Sequence, residues 1–329
     1  MIFKSYKSIY LSVFFLTLML MNCGSKEKKN LEKKVKIIAK KGFIKTSDSL
    51  NIFYKIEGSG KDTLVVIHGG PGMDSEYMVA DFKPLAKKYT LLYYDQRGGG
   101  QSSLPENTDK LHINNHISDL ETLRQFFELD KLNLIAHSFG PMVAAQYAIK
   151  YPNKVSKMVF LGPVPPMQGD FSTRYGVNLA NRLSIEEQQQ MAGFFQELIQ
   201  GEDNIIKVCK EYWNIALKPR LAEGLPVSIV KGDCCTAPPE AIKFGMQVTN
   251  SATFTSLGNW DLRPALKNLN ITTLILHGKQ EAIPMDMVEE WETTMPNAKL
   301  IKVPKAGHFV YVEQPDIVWP AIETFLSFD

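Results

Sequence analysis

The chain has 329 residues, of which 44% are apolar and 22% charged, and a formal net charge of +2. That length suits one large domain, or one domain with an insertion, and the composition supports a sizeable core and excludes a disordered chain. The small net charge hides an asymmetry: residues 1–45 hold 11 Lys against two acids, Glu27 and Glu32, so the body that follows is mildly acidic. This argues against nucleic-acid binding by the folded part.

Lys4 and Lys7 precede an apolar run from Ile9 to Met21. The run is shorter than the ~20 residues needed to span a bilayer and suits the h-region of a secretion signal. It ends at Leu20-Met21-Asn22-Cys23-Gly24, which resembles a bacterial lipoprotein signal, in which the cysteine is lipidated and becomes the first residue. Asn22 departs from that pattern, because a small residue usually precedes the cysteine. The expectation is a lipoprotein-type signal peptide over residues 1–22, lipidation at Cys23 and a Lys-rich tether over residues 23–42. The protein is then exported and touches the membrane only through its lipid. An uncleaved membrane anchor is the alternative.

Asn51 to Glu57 mixes β-branched and aromatic residues and ends at Gly58-Ser59-Gly60, a strand and a turn. Thr63 to His68 is a continuous apolar run leading into Gly69-Gly70-Pro71-Gly72, as expected of a strand buried on both faces and followed by a loop. Tyr89 to Asp95 repeats the pattern before Gln96-Arg97-Gly98-Gly99-Gly100. Ile117, Leu120, Leu123 and Phe127 recur at helical spacing. Leu132 to Ala136 is a strand, Gly140 to Lys150 a helix and Lys157 to Leu161 another strand. This alternation predicts a parallel sheet with helices on both faces.

The alternation stops after Gly162, at Pro163, Pro165 and Pro166. From about residue 167 to 258 the chain carries helical stretches, such as Ser184 to Gln200 and Asn204 to Leu217, with no clear buried strand. The alternation resumes with a strand from Ile271 to His277, a helix from Met285 to Met295, a strand from Ala298 to Val303 and a last helix near Ile317 to Phe328. An α/β core over residues 43–163 and 259–329 is therefore interrupted by a helical cap over residues 164–258. Outside the leader, Cys209 can bridge to Cys234 or Cys235 in an oxidising compartment, or all three remain thiols. His112 and His116 lack clustered partners at ligand spacing, so no metal is expected.

Ala136-His137-Ser138-Phe139-Gly140 lies between a buried strand and a helix, the setting of a nucleophile elbow. The turn is tight, so the positions two before and two after the serine must be small. Gly140 fits, and Ala136 stands where a glycine is more usual. Pro141 sits in the first helical turn, where no intrahelical amide partner is lost. Ser138 at the helix N-terminus is the expected nucleophile, and a neutral hydroxyl needs a base. In this arrangement the order along the chain is serine, acid, histidine. His308, in Ala306-Gly307-His308-Phe309, is the expected base, and His68, His137 and His277 are given no part in the chemistry. Glu281 is the first acid in the loop after the strand ending at His277 and the expected partner of His308, with Asp286 as the alternative. For the oxyanion the expected donors are the backbone N–H groups of Phe139 and Gly70, the latter chosen over Gly69.

Four segments together resemble the proline iminopeptidase-like serine hydrolases of the α/β-hydrolase superfamily. They are His68-Gly69-Gly70-Pro71-Gly72, Asp95 to Ser102, the elbow at Ser138 and Gly307 to Pro315. The resemblance covers about residues 43–163 and 259–329. It implies an α/β-hydrolase fold with a mostly parallel central sheet, a helical cap, no cofactor and release of N-terminal residues, often proline, from peptides. It also implies that Asp95, Arg97 and Ser102 hold a loop near the site. Peptidase members hold the substrate amine with cap glutamates, one in a Trp-Glu pair. Here the nearest stretch, Glu211-Tyr212-Trp213-Asn214, lacks that pair. Glu211 and Asp233, and beside them Glu202 and Asp203, are the candidates left. The first expectation is an aminopeptidase acting on small peptides. A carboxylesterase or lipase-like hydrolase using the same triad is the second, and a non-catalytic binding protein the third.

Overall fold

The computed structural model describes residues 40–201 and 204–327. The expected signal peptide, the Cys23 lipidation site and nearly all of the tether lie outside these residues, as do Glu202 and Asp203.

Eight strands form one sheet. They are β1 Lys41–Lys45, β2 Asn51–Glu57, β3 Thr63–Ile67, β4 Thr90–Tyr94, β5 Leu132–His137, β6 Val155–Leu161, β7 Thr272–Gly278 and β8 Ala298–Val303, in the order β1-β2-β4-β3-β5-β6-β7-β8. β2 pairs antiparallel with both β1 and β4, and every other pairing is parallel. The tether expected to end at residue 42 stops earlier. Lys41 and Gly42 already pair with Lys55 and Tyr54 in β1. A lysine-rich edge strand reads as tether in sequence because only Ile44 of its five residues is buried.

The central strands are apolar along their length because helices cover both faces. Val65, Val66 and Ile67 of β3 are fully buried, as are Phe160 and Leu161 of β6. Leu120 and Leu123 bury one face of the helix Ile113–Phe126. On the helix Met285–Thr294, Trp291 is fully buried and its indole N–H donates to Val164 O at 2.9 Å. The register aligns Ile67 with Ala136, His137 with Leu161, and Leu161 with Leu276. The carboxyl ends of β3, β5, β6 and β7 thus abut, and in open α/β sheets ligands bind beyond these ends.

Between β6 and β7 lie the helices Phe171–Ala180, Ile185–Gln200, Ile205–Ala216, Pro239–Phe244 and Asn250–Leu257. Where the chain leaves and rejoins the sheet, its two strands touch through a bridge from Met167 to Asp261, with Leu262 N donating to Pro166 O at 2.9 Å. The helix Ile185–Gln200 starts on a capping box: Ser184 Oγ accepts from Glu187 N, and Glu187 Oε2 accepts from Ser184 N. Gly201 ends it in the left-handed conformation. Cys209 is bonded to Cys235, and Cys234 is a free thiol.

Candidate active site

The turn from β5 into the helix Gly140–Lys150 places Ser138 at φ +60°, a left-handed conformation that costs a residue with a β-carbon roughly 1–2 kcal/mol. Surrounding structure holds it there. Ser138 N donates to Leu161 O at 2.9 Å, and Ser138 O accepts from Val164 N at 2.9 Å. The predicted need for a small residue at 140 is met, since a β-carbon on Gly140 would stand 2.5 Å from Ile67 O. Ala136, fully buried, is accommodated.

Ser138, Phe139, Gly70 and His308 line one cavity of about 610 Å³, a size suited to a small organic ligand. His308 follows β8, and its Nδ1 lies 2.7 Å from Glu281 Oε2. The other carboxylate oxygen of Glu281 accepts from Ala282 N at 2.7 Å and Ile283 N at 3.1 Å. Burial by itself would raise the Glu281 carboxyl. The charge and hydrogen bond of His308 outweigh it and hold the group below the usual carboxylate range. With Glu281 accepting, hydrogen bonding assigns the imidazole proton to Nδ1 and leaves Nε2 as an acceptor. Asp286, the alternative acid, is exposed and pairs with Arg174 at 2.7 Å. Of the two carboxylates, Glu281 is the one brought to His308.

The glycine loop divides its amides. Gly69 N donates to Tyr77 Oη at 2.8 Å. Gly70 N and Phe139 N donate to no other protein group among the described residues, and both residues line the cavity.

Residues given no role by the sequence reading complete the surroundings. The Tyr77 hydroxyl donates to His137 Nδ1 at 2.7 Å, and His137 Nε2 donates to His308 O at 3.2 Å. Burial, then the nearby charge of His308, pushes His137 well below its ordinary value, so it is neutral, as this pattern requires. Gly69, Tyr77, His137 and the His308 backbone thus form one chain of hydrogen bonds. Gly162, at φ +51°, is needed for close approach, because a β-carbon there would lie 2.8 Å from His308 O and 3.2 Å from Nδ1. Its only sequence signal was the break in the strand–helix alternation. His68 Nδ1 donates to Gly69 O at 2.7 Å while Nε2 accepts from Gln96 N at 3.0 Å, and His277 Nε2 donates to Ile283 O at 3.1 Å. These two histidines brace the loops that carry Gly70 and Glu281.

Asp95, Arg97 and Ser102 also act as braces. Asp95 accepts from Ser75 N and Oγ and from Gln101 N. Ser102 Oγ donates to Asp95 O at 2.6 Å and accepts from Phe53 N. Arg97 is buried and holds Asp119 through two nitrogens, at 2.6 and 2.7 Å, and Asp48 at 2.9 Å.

Of the candidate amine-binding acids, Glu211 and Asp233 are not brought to the site. Glu211 is exposed and lines no part of the cavity. Asp233 lies outside the lining too, pairing with Lys210 at 3.4 Å and accepting from Cys235 N. The helix Ile205–Ala216 is amphipathic, and it turns Tyr212 and Trp213 to the cavity while leaving Glu211 in solvent. Among the described residues no aspartate or glutamate lines the cavity.

Residues 62–201 match the family model described as the alpha/beta hydrolase fold. A proline iminopeptidase of Heyndrickxia coagulans is 25% identical over 302 residues, covering 87% of this chain and 98% of that protein. Among solved structures, the proline iminopeptidase of Mycobacterium smegmatis superposes with a TM-score of 0.63 at 17% identity, covering 87% of this chain and 97% of that one. A thermophilic esterase from Thermogutta terrifontis superposes with a TM-score of 0.62 at 22% identity, covering 88% and 98%. Backbone likeness at these identities speaks to the fold. The chain has the α/β-hydrolase fold, and proline iminopeptidases are among the proteins it is similar to.

Proposed function

We propose that this protein is a serine hydrolase that cleaves a carboxylic acyl bond, most readily an ester. The observation that carries the reading is that Ser138, on its strained turn, lines the same cavity as His308, whose Nδ1 is bonded to Glu281. His308 Nε2 takes the proton of Ser138 Oγ as the oxygen attacks the substrate carbonyl. The Gly70 and Phe139 amides receive the developing oxyanion. His308 then gives the proton to the leaving group as the acyl–heteroatom bond breaks. Water, deprotonated by the same imidazole, releases the acid from Ser138.

Two finer readings compete. The aminopeptidase is favoured by the proline iminopeptidase of Heyndrickxia coagulans, which matches this chain over 98% of its own length. The ester hydrolase is favoured by a cavity wall that holds no carboxylate among the described residues, because a peptide's ammonium group would be stripped of water there with no described acid to pair it. The full chain should react with a fluorophosphonate at Ser138, and Ser138→Ala should lose both labelling and turnover, with kcat down by at least ~10³. A 4-nitrophenyl ester of a short acid is expected to be cleaved, and a prolyl arylamide to be left intact. Cleavage of the arylamide, abolished by N-acetylation, would establish the aminopeptidase instead. Absence of labelling at Ser138 would leave the non-catalytic binding protein.

A further inference from the structure

Among the described residues, the cavity wall carries one permanent charge. Phe171, Tyr175, Tyr212, Trp213 and Phe254 make much of it aromatic, and Arg220 is the only lysine or arginine among the described lining residues. Arg97, Arg124, Arg174 and Arg263 each have a carboxylate within 4 Å, whereas Arg220, like the exposed Arg182, has none among the described residues. Its Nη1 donates to Ala216 O, at the end of the helix Ile205–Ala216, and its guanidinium lies 6.0 Å from the Tyr175 ring centroid. These contacts use part of a five-donor group, and the Glu281 carboxylate acts on it only at longer range, without an ion pair. Arg220 is half-buried and makes no ion pair within 4 Å among the described residues, so donors remain for a ligand in the cavity that carries negative charge.

The position is fixed relative to the proposed base. Arg220 O accepts from His308 N at 2.7 Å, and Gly307 packs so tightly there that a β-carbon would lie 2.4 Å from Arg220 O. The turn Lys218–Arg220 and the His308 loop therefore hold one geometry. A planar guanidinium favours a planar two-oxygen acceptor and repels an ammonium group. We propose that Arg220 determines specificity, and that the substrate is an ester carrying a free carboxylate, bound by Arg220 while its apolar body lies against the aromatic wall. This rests on the serine-hydrolase reading for the ester and on Arg220 alone for the carboxylate.

The two parts are tested separately. In Ser138→Ala, calorimetric titration with 4-phenylbutyrate and with its neutral analogue 4-phenylbutanamide reads binding without turnover. The carboxylate should bind at least tenfold tighter than the amide. Adding Arg220→Gln should remove the difference, and adding Arg220→Lys, which keeps the charge but not the fork, should restore part of it. For turnover, the mono-4-nitrophenyl ester of glutaric acid is compared with its methyl-capped diester. The ratio of their kcat/KM values should fall at least tenfold in Arg220→Gln and partly recover in Arg220→Lys. Equal or undetectable binding of both probes, or a preference that survives Arg220→Gln, overturns the assignment. If neither ester is cleaved but the carboxylate preference is present and lost in Arg220→Gln, the hydrolase reading falls and the anion site stands.

Discussion

Glu281 makes three hydrogen bonds at its carboxylate, one to His308 Nδ1 and two to backbone amides. Glutamate has one methylene more than aspartate, and the two amides of its own loop fix where that extra reach goes. In Glu281→Gln the Ala282 and Ile283 amides keep the side-chain oxygen, so the –NH2 donor faces His308 Nδ1 and favours the wrong tautomer, with the proton on Nε2. kcat on an ester substrate should fall by about 10²–10⁴, and unchanged kcat would remove Glu281 from the mechanism. Tyr77 is equally exposed to test. Tyr77→Phe deletes the acceptor of Gly69 N and the donor to His137 Nδ1, both buried. Unsatisfied groups of this kind cost about 1–3 kcal/mol. Thermal unfolding should therefore occur at lower temperature, and kcat should fall more than KM rises, because the loop beside the oxyanion position loses its anchor. A variant that melts lower with full kcat would confine Tyr77 to stability.

At the scale of elements, the insertion between β6 and β7 is tied to the rest of the fold by hydrogen bonds spread along its length. Thr236 Oγ1 donates to Asp74 Oδ2 at 2.9 Å, and Lys231 N and Gly232 N both reach Asp81 Oδ2 at 3.2 Å. Within the insertion, the disulfide joins the helix Ile205–Ala216 to the segment before the helix Pro239–Phe244, closing a separation of 26 residues. Closing a loop of that length stabilises by about 3 kcal/mol in the chain-entropy account. Replacing both Cys209 and Cys235 with serine should lower the melting temperature by several degrees, and dithiothreitol should do the same to the parent while leaving the variant unchanged. Equal melting temperatures in all cases would show that the bond contributes nothing.

For the molecule as a whole, the carboxylates set opposite limits on pH. Asp74 is buried; burial and then the charge of Asp95 push it up to about 7. A carboxyl raised in this way favours folding while protonated, so its contribution is complete below the unfolded value and declines as pH rises through about 7. Glu281, held below its ordinary value, does the reverse: its contribution is present above the unfolded value and is lost as pH falls through the lower folded one. Asp74→Asn keeps the hydrogen-bonding shape and removes the ionisation. Its melting temperature relative to the parent should rise between pH 5 and pH 9, and a difference independent of pH would remove Asp74 as the cause.

Local patterns determined the order of elements and the chemistry. Continuous apolar runs marked the buried strands, and a serine between small residues at a strand–helix junction marked the turn, because each depends on residues a few positions apart. The same locality made Glu281 and His308 legible, since each sits in the loop directly after a predicted strand. Folding decided what depends on residues far apart. The partner of Cys209, the hydrogen-bond chain through Tyr77 and His137, and the contact of Gly162 with His308 all join distant segments. So does the makeup of the cavity wall. Glu211 and Trp213 are two positions apart on one helix, yet the helix's rotation sends the acid to solvent and the indole to the cavity. No periodicity announces that Arg220 is the permanent charge on the described cavity wall.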